Sequence, residues 1–181
     1  MSADIRSSGS IVQRRIGMHG SRFAWIAATV GIVAAAASVI TVGLSLKLWP
    51  MFIGWTCFGT GGGDLRRGAA AIACLVIGVL LGMGGVVVLG AIQPVAGEWA
   101  LPIVIFGLAV LAMLTLLTPP LDAIPGYFLG MTAFFASGLP PGEPALAAIL
   151  PAALIGGLAA ALVVAAPRLY DRWWSSPAER T

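Results

Sequence analysis

Pro50-Met51-Phe52-Ile53-Gly54-Trp55-Thr56-Cys57-Phe58-Gly59-Thr60-Gly61-Gly62-Gly63 is apolar enough for a membrane, yet it carries five glycines and is bounded by Trp49 and Asp64. Laid 76 positions further along, Phe52-Ile53-Gly54-Trp55-Thr56-Cys57-Phe58 falls on Phe128-Leu129-Gly130-Met131-Thr132-Ala133-Phe134, and Gly62 falls on Gly138. The pattern F-Φ-G-x-T-x-F therefore occurs twice. An internal duplication governs every later inference about a chain, and this one puts two short, glycine-broken segments in corresponding places of two halves.

Around these segments the composition is that of a membrane protein. The chain is 59% hydrophobic and only 9% charged, with a mean hydropathy of +1.00, whereas soluble domains are about a quarter charged. A net charge of +3 would suggest nucleic acid in a soluble protein. Here the basic residues lie in the tails and one loop, which points instead to positive-inside topology and to no nucleic-acid partner. Cys57 and Cys74 both fall inside apolar segments, as small packing residues and not as a disulfide framework.

Working outward from the motif, residues 1–22 form a polar, basic tail with Arg6, Arg14, Arg15, Arg22 and the single His19. Phe23 to Leu46 is too long for a signal-peptide core of about 7 to 15 residues, so it is expected to stay uncleaved as a first membrane helix. The first motif segment follows, then Asp64-Leu65-Arg66-Arg67, then a span from Gly68 to about Gly90. A polar link carries Pro94, Glu98 and Trp99, and Leu101 to Leu117 is the next span, closed by Thr118-Pro119-Pro120 because consecutive prolines break the helical ladder. The second motif segment runs from about Ile124 to Leu139, Pro140 to Pro144 make a turn, and Leu146 to Ala166 is the last span before a tail at 167–181.

At roughly 15 residues a motif segment reaches only about 22 Å as a helix, short of a hydrocarbon core of about 30 Å. Charge separates crossing from re-entry. If both segments cross, the N-terminal tail, Arg66, Arg67 and the C-terminal tail all lie inside, which collects nine of the ten Lys and Arg. If both re-enter, Arg66 and Arg67 move outside and the inside count falls to seven.

The expected fold is an all-α integral membrane protein of six transmembrane helices, with both termini cytoplasmic. Three spans per half is an odd number, so the halves, 23–90 and 101–166, form two inverted three-helix repeats whose second helix is short and Gly-rich. Trp25, Trp49, Trp99, Trp173 and Trp174 fall at expected interfaces, where amphipathic rings prefer to sit, and Trp55 alone lies within a motif.

Inverted repeats with Gly-interrupted segments in matching positions point to a translocation site, since unwound backbone survives at membrane depth only against protein or a wet cavity. On a helix, Phe52, Thr56 and Thr60 share a face, as do Phe128 and Thr132, which sets a hydroxyl beside a ring twice. With Phe58 and Phe134, these are the candidate pore-lining or solute-binding residues. Gly54, Gly62, Gly130 and Gly138 are the candidates for close backbone approach. The bland alternative is that glycines pack helices and threonines bond their own backbone. Gly78 to Gly82 and Gly126 to Gly130 match GxxxG, a weak signal among 24 glycines.

No Asp, Glu, Lys, Arg or His lies within the six apolar segments, which argues against proton or ion coupling. No metal-ligand spacing, nucleotide loop or Ser-His-Asp set is present, so no catalytic residue, metal or cofactor is expected and the chain is not read as an enzyme. Asp64 and Asp122 are read as solvated ends of the motif segments, with an ion pair to Arg66 or Arg67 as the alternative.

The motif pair, Trp49 to Phe58 with Pro125 to Gly138, resembles the YcdZ-like family of small bacterial inner-membrane proteins of unknown function, over about residues 23–166. That resemblance implies a multi-pass protein of the bacterial inner membrane and supplies no activity. Paired Phe and Thr in inverted halves is also similar to the design of urea channels, an analogy of parts. The expected function is a passive channel or facilitator for a small neutral polar solute such as urea, ammonia or a short amide. Its expected partners are membrane lipid, the solute and further copies of itself in a homo-oligomer. The alternative is a non-transporting membrane subunit that packs in or assembles a larger complex.

Overall fold

The computed structural model describes residues 20–174, with side chains from 23 to 166. His19, the N-terminal arginines and the C-terminal Arg168, Trp173 and Trp174 cluster lie outside the described side chains. The elements are α1 (Gly20–Gly43), α2 (Leu48–Gly59), α3 (Leu65–Ala96), α4 (Ala100–Leu114), α5 (Ile124–Ser137) and α6 (Glu143–Trp174), with single 3-10 turns at Gly97–Trp99 and Thr115–Leu117. Every described element is helical.

Local chemistry sets the boundaries. The first motif helix, α2, stops at Gly59, and Thr60 to Gly63 turn the chain, with Gly62 and Gly63 at φ +64° and +86°. Asp64 then caps α3: its carboxylate accepts from the backbone N–H groups of Arg66 at 2.8 Å and Arg67 at 3.0 Å, which satisfies two donors that a helix start leaves open. Its far end runs past the expected limit at Gly90, because Pro94 sits in the last turn, where it removes a single hydrogen bond at an exposed position. Gly97, at φ +54°, ends that helix. The last helix begins at Glu143, earlier than Leu146, because an acidic residue and a proline both suit a first turn. It also continues beyond Ala166 to Trp174. Gly138, at φ +64°, terminates α5 in the left-handed conformation that glycine adopts without penalty.

Three helical runs, Phe23–Gly43, Leu65–Leu117 and Glu143–Ala166, are long and apolar enough to cross a membrane. The middle run, 53 residues, folds back at Gly97 so that α3 and α4 lie side by side. The motif helices are short: 12 residues in α2 and 14 in α5 correspond to about 18 and 21 Å.

Packing is exchanged between the halves. The main neighbour of α2 is α6, and the main neighbour of α5 is α3; α1 also lies on α6, as α4 lies on α3. A central cluster draws Cys57 from α2, Leu75 and Val79 from α3, Phe134 from α5 and Ile149 and Ala153 from α6. Two flanking clusters complete the interior. One joins Cys74, Val104, Leu108, Tyr127 and Met131, and the other joins Ala37, Met51, Ala152 and Ala159.

Glycine makes both crossings possible. A Cβ at Gly54 would overlap the Ala153 carbonyl, and one at Gly130 would overlap the Leu75 carbonyl. In the reverse sense, a Cβ at Gly156 would overlap the Met51 carbonyl, and one at Gly78 the Tyr127 carbonyl. Helix pairs in lipid are held by close van der Waals contact, since the tails are as apolar as leucine. The two GxxxG segments, read from sequence as weak matches, thus form the two sides of the α3–α5 crossing.

Candidate functional site

Each motif helix has one buried and one exposed face. In α2, Pro50, Met51, Gly54, Cys57 and Phe58 are buried, while Phe52 is 52% exposed and Thr56 is exposed. In α5, Gly126, Tyr127, Gly130, Met131, Ala133 and Phe134 are buried, while Phe128 is 44% exposed and Thr132 is exposed. The i, i+4 spacing brings Phe52 to Thr56 and Phe128 to Thr132 as expected from a helix. These faces point away from the glycine crossings, and the space where the motif helices meet the rest of the bundle is filled by Met51, Cys57, Tyr127 and Phe134.

The hydroxyls on those faces differ from the other described Ser and Thr hydroxyls in the α-helices or one residue past them. Thr29, Ser38, Thr41 and Ser137 each donate to a carbonyl three or four residues back in their own helix, and Thr60 and Thr115, one residue past α2 and α4, donate to a carbonyl three residues back in the helix before them. Thr56 and Thr132 form no such bond, although both sit in mid-helix. Phe128 and Thr132 border a shallow groove of about 230 Å³ against Ile105 and Ala109 of α4.

The remaining expected site residues are placed elsewhere. Phe58 and Phe134 are core residues; their rings lie where a Cβ on Gly68 would stand 2.7 Å from one and a Cβ on Gly82 3.0 Å from the other. Phe58 and Phe134 therefore do not share a face with Phe52 and Phe128. Gly62 and Gly138, expected at close backbone approaches, have nothing within 4 Å of a would-be Cβ and serve instead as positive-φ turn residues. Thr60 donates to Cys57 O at 2.7 Å and borders a polar cavity with Arg66, Arg67 and Asp122.

Two buried groups make bonds that the sequence reading did not foresee. Tyr127, 1% exposed, donates its hydroxyl to Leu121 O at 3.0 Å and so ties α5 to the loop before it. The signal was there: a tyrosine beside a Pro-rich loop in an apolar chain needs a partner for its hydroxyl. Cys57, fully buried, donates its thiol to Ala71 O at 3.1 Å and links α2 to α3.

An all-helical bundle with spans of membrane length and backbone-to-backbone glycine crossings defines the class: a helical membrane protein. Within that class the chain belongs to the family described as Protein of unknown function (DUF1097), whose model matches residues 27–166. No curated protein and no solved structure matches the chain.

Proposed function

We propose that the protein is a passive, non-enzymatic facilitator for a small neutral polar solute, built from six membrane crossings in two inverted halves. The observation that carries this reading is the matched pair of exposed Thr56 and Thr132 hydroxyls, each beside an exposed phenylalanine and neither bonded to its own helix. An unbonded hydroxyl facing hydrocarbon costs about 1 to 3 kcal/mol on mutational scales, so both faces call for a polar occupant. The protomer interior is filled, so the path is completed where the faces meet other copies. There a solute such as urea exchanges hydrogen bonds with the hydroxyls while its flat faces slide along the rings.

The exchanged packing supports the inverted arrangement. Gly54 on Ala153 corresponds to Gly130 on Leu75, and Gly156 on Met51 corresponds to Gly78 on Tyr127. The equivalence is a shift of 76 positions in the motif helices and 78 in the helices that follow. Six crossings with both termini inside also keep Arg66 and Arg67 on the cytoplasmic side.

The test is urea and methylamide flux into liposomes carrying purified protein. Replacing Thr56→Val and Thr132→Val together is expected to lower flux at least tenfold while the protein stays folded. Undiminished flux in a folded double variant sinks the proposal. A second reading is favoured by the apolar character of the same faces, which suits burial against another membrane protein: a non-transporting subunit. It predicts no flux from the wild-type protein and loss of a co-purifying partner when Phe52 or Phe128 is changed to alanine.

A further inference from the structure

Among the described residues, one cavity has a distinctly polar lining. The α2–α3 turn and the loop between α4 and α5, more than fifty residues apart in the chain, form a half-open cavity of about 420 Å³ bordered by Thr60, Arg66, Arg67, Pro119, Pro120 and Asp122. The other grooves are lined almost wholly by aliphatic and aromatic side chains. The volume lies within the roughly 300 to 1,000 Å³ of small-molecule sites. The helix start is not itself the attraction, because the carboxylate of Asp64 already accepts from the first-turn N–H groups of Arg66 and Arg67. What the lining offers a ligand is two arginines from the start of α3, one aspartate from the α4–α5 loop and Thr60, whose hydroxyl already donates to Cys57 O and is left to accept. Tyr127 steadies the far wall by holding the Leu121 carbonyl.

We propose that this cavity binds the headgroup of a phospholipid that carries a primary ammonium, its phosphate held by Arg66 and Arg67 and its ammonium by Asp122. Guanidinium groups suit the planar, two-oxygen face of a phosphate, and a carboxylate accepts hydrogen bonds from an ammonium but not from a trimethylated nitrogen. The placement fits, since both segments lie at helix ends and, on the six-crossing reading, at the same cytoplasmic boundary of the bilayer. An acyl chain can leave the cavity along the outer surface of the bundle.

The experiment is lipid retention by the full chain, purified in mild detergent and exposed to equal amounts of phosphatidylethanolamine, phosphatidylcholine and phosphatidylglycerol, with bound lipid read by native mass spectrometry. Wild-type protein is expected to retain the ethanolamine lipid about tenfold over the choline lipid, the ratio for a charge-assisted hydrogen bond of about 1.5 kcal/mol. Asp122→Asn abolishes that preference, and Arg66→Gln with Arg67→Gln lowers retention of every lipid. Should the double glutamine variant not fold, Arg66→Lys with Arg67→Lys keeps the charge and is still expected to weaken retention through loss of the two-point contact. Equal retention of the ethanolamine and choline lipids overturns the proposal, as does preference for the glycerol lipid or a preference that survives Asp122→Asn. Displacement of lipid by millimolar inorganic phosphate assigns the site to free phosphate and overturns it too. None of these readouts involves solute flux, so the outcome is separable from that of the facilitator reading.

Discussion

A single methyl group added at Gly130 should loosen the bundle more than one added anywhere on its lipid-facing surface. A Cβ at this position would overlap the Leu75 carbonyl and stand 2.7 Å from the backbone nitrogen of Val79, where ordinary contact begins near 3.4 Å. Both obstacles are helix backbone, which cannot rotate out of the way. Helix α5 must therefore move off α3 by at least about 0.7 Å. A gap of about 0.5 to 1 Å forfeits a quarter to a half of each van der Waals well along the crossing. Overpacking of this kind costs about 1 to 3 kcal/mol, and the gain of up to about 1 kcal/mol from replacing glycine in a helix offsets only part of it. The comparison variant is Gly107→Ala, because a Cβ there meets nothing within 4 Å. Equilibrium unfolding in mixed micelles of mild detergent and SDS, followed by circular dichroism, measures both. Gly130→Ala should unfold at clearly lower SDS than wild type, and Gly107→Ala at the same or slightly higher SDS. An unshifted Gly130→Ala would refute the argument that the crossing is closed backbone to backbone.

Other outcomes follow from the same structure. Gly54→Ala should match Gly130→Ala in cost, and the double variant should depart from additivity because Ala153 and Leu75, the partners of the two glycines, pack in the same central cluster; unfolding midpoints of the three proteins check this. Tyr127→Phe should cost about 1 kcal/mol by removing the bond to Leu121 O and should raise proteolysis in the loop at residues 115–123, read by limited digestion. Single cysteines placed at Gly62 and Pro141, in a background without Cys57 and Cys74, should label from opposite sides of the membrane; labelling from the same side refutes the six-crossing arrangement. Cys57 and Cys74 themselves, both fully buried, should react with maleimide only after unfolding, and reaction in the folded state counts against the packing of the central and flanking clusters.

How far the sequence alone could reach differs from element to element. The helical segments were legible where glycine and proline punctuate them: Thr60 to Gly63 and the Pro119-Pro120 pair fall between helices, whereas Pro94, read as part of a link, lies in the last turn of α3. Periodicity also placed Phe52 with Thr56 and Phe128 with Thr132 on common faces. Which way those faces point was not legible. In a soluble helix the apolar stripe marks the inside, but in lipid both the core and the outer surface are apolar, so Phe58 and Phe52 look alike in composition while one is buried and the other is half exposed. The partners of the glycines were hidden for another reason. Gly54 meets Ala153 and Gly130 meets Leu75, contacts between residues far apart in the chain, which local spacing does not encode. The arginine-lined cavity was hidden in the same way, since Thr60 and Asp122 come together only through the fold.

The exchange of partners between halves also bears on how such a chain can be made. Helix α5 finds its partner already present when it leaves the ribosome, because α3 precedes it. The opposite holds for α2, whose partner α6 starts more than eighty residues after α2 ends. With 12 residues and a glycine-rich end, it is too short to span the hydrocarbon core unaided. Until α6 has been made, α2 can rest only on its lesser neighbours, α1, α3 and α5. The packing of α2 is thereby completed only by a helix encoded far downstream of it.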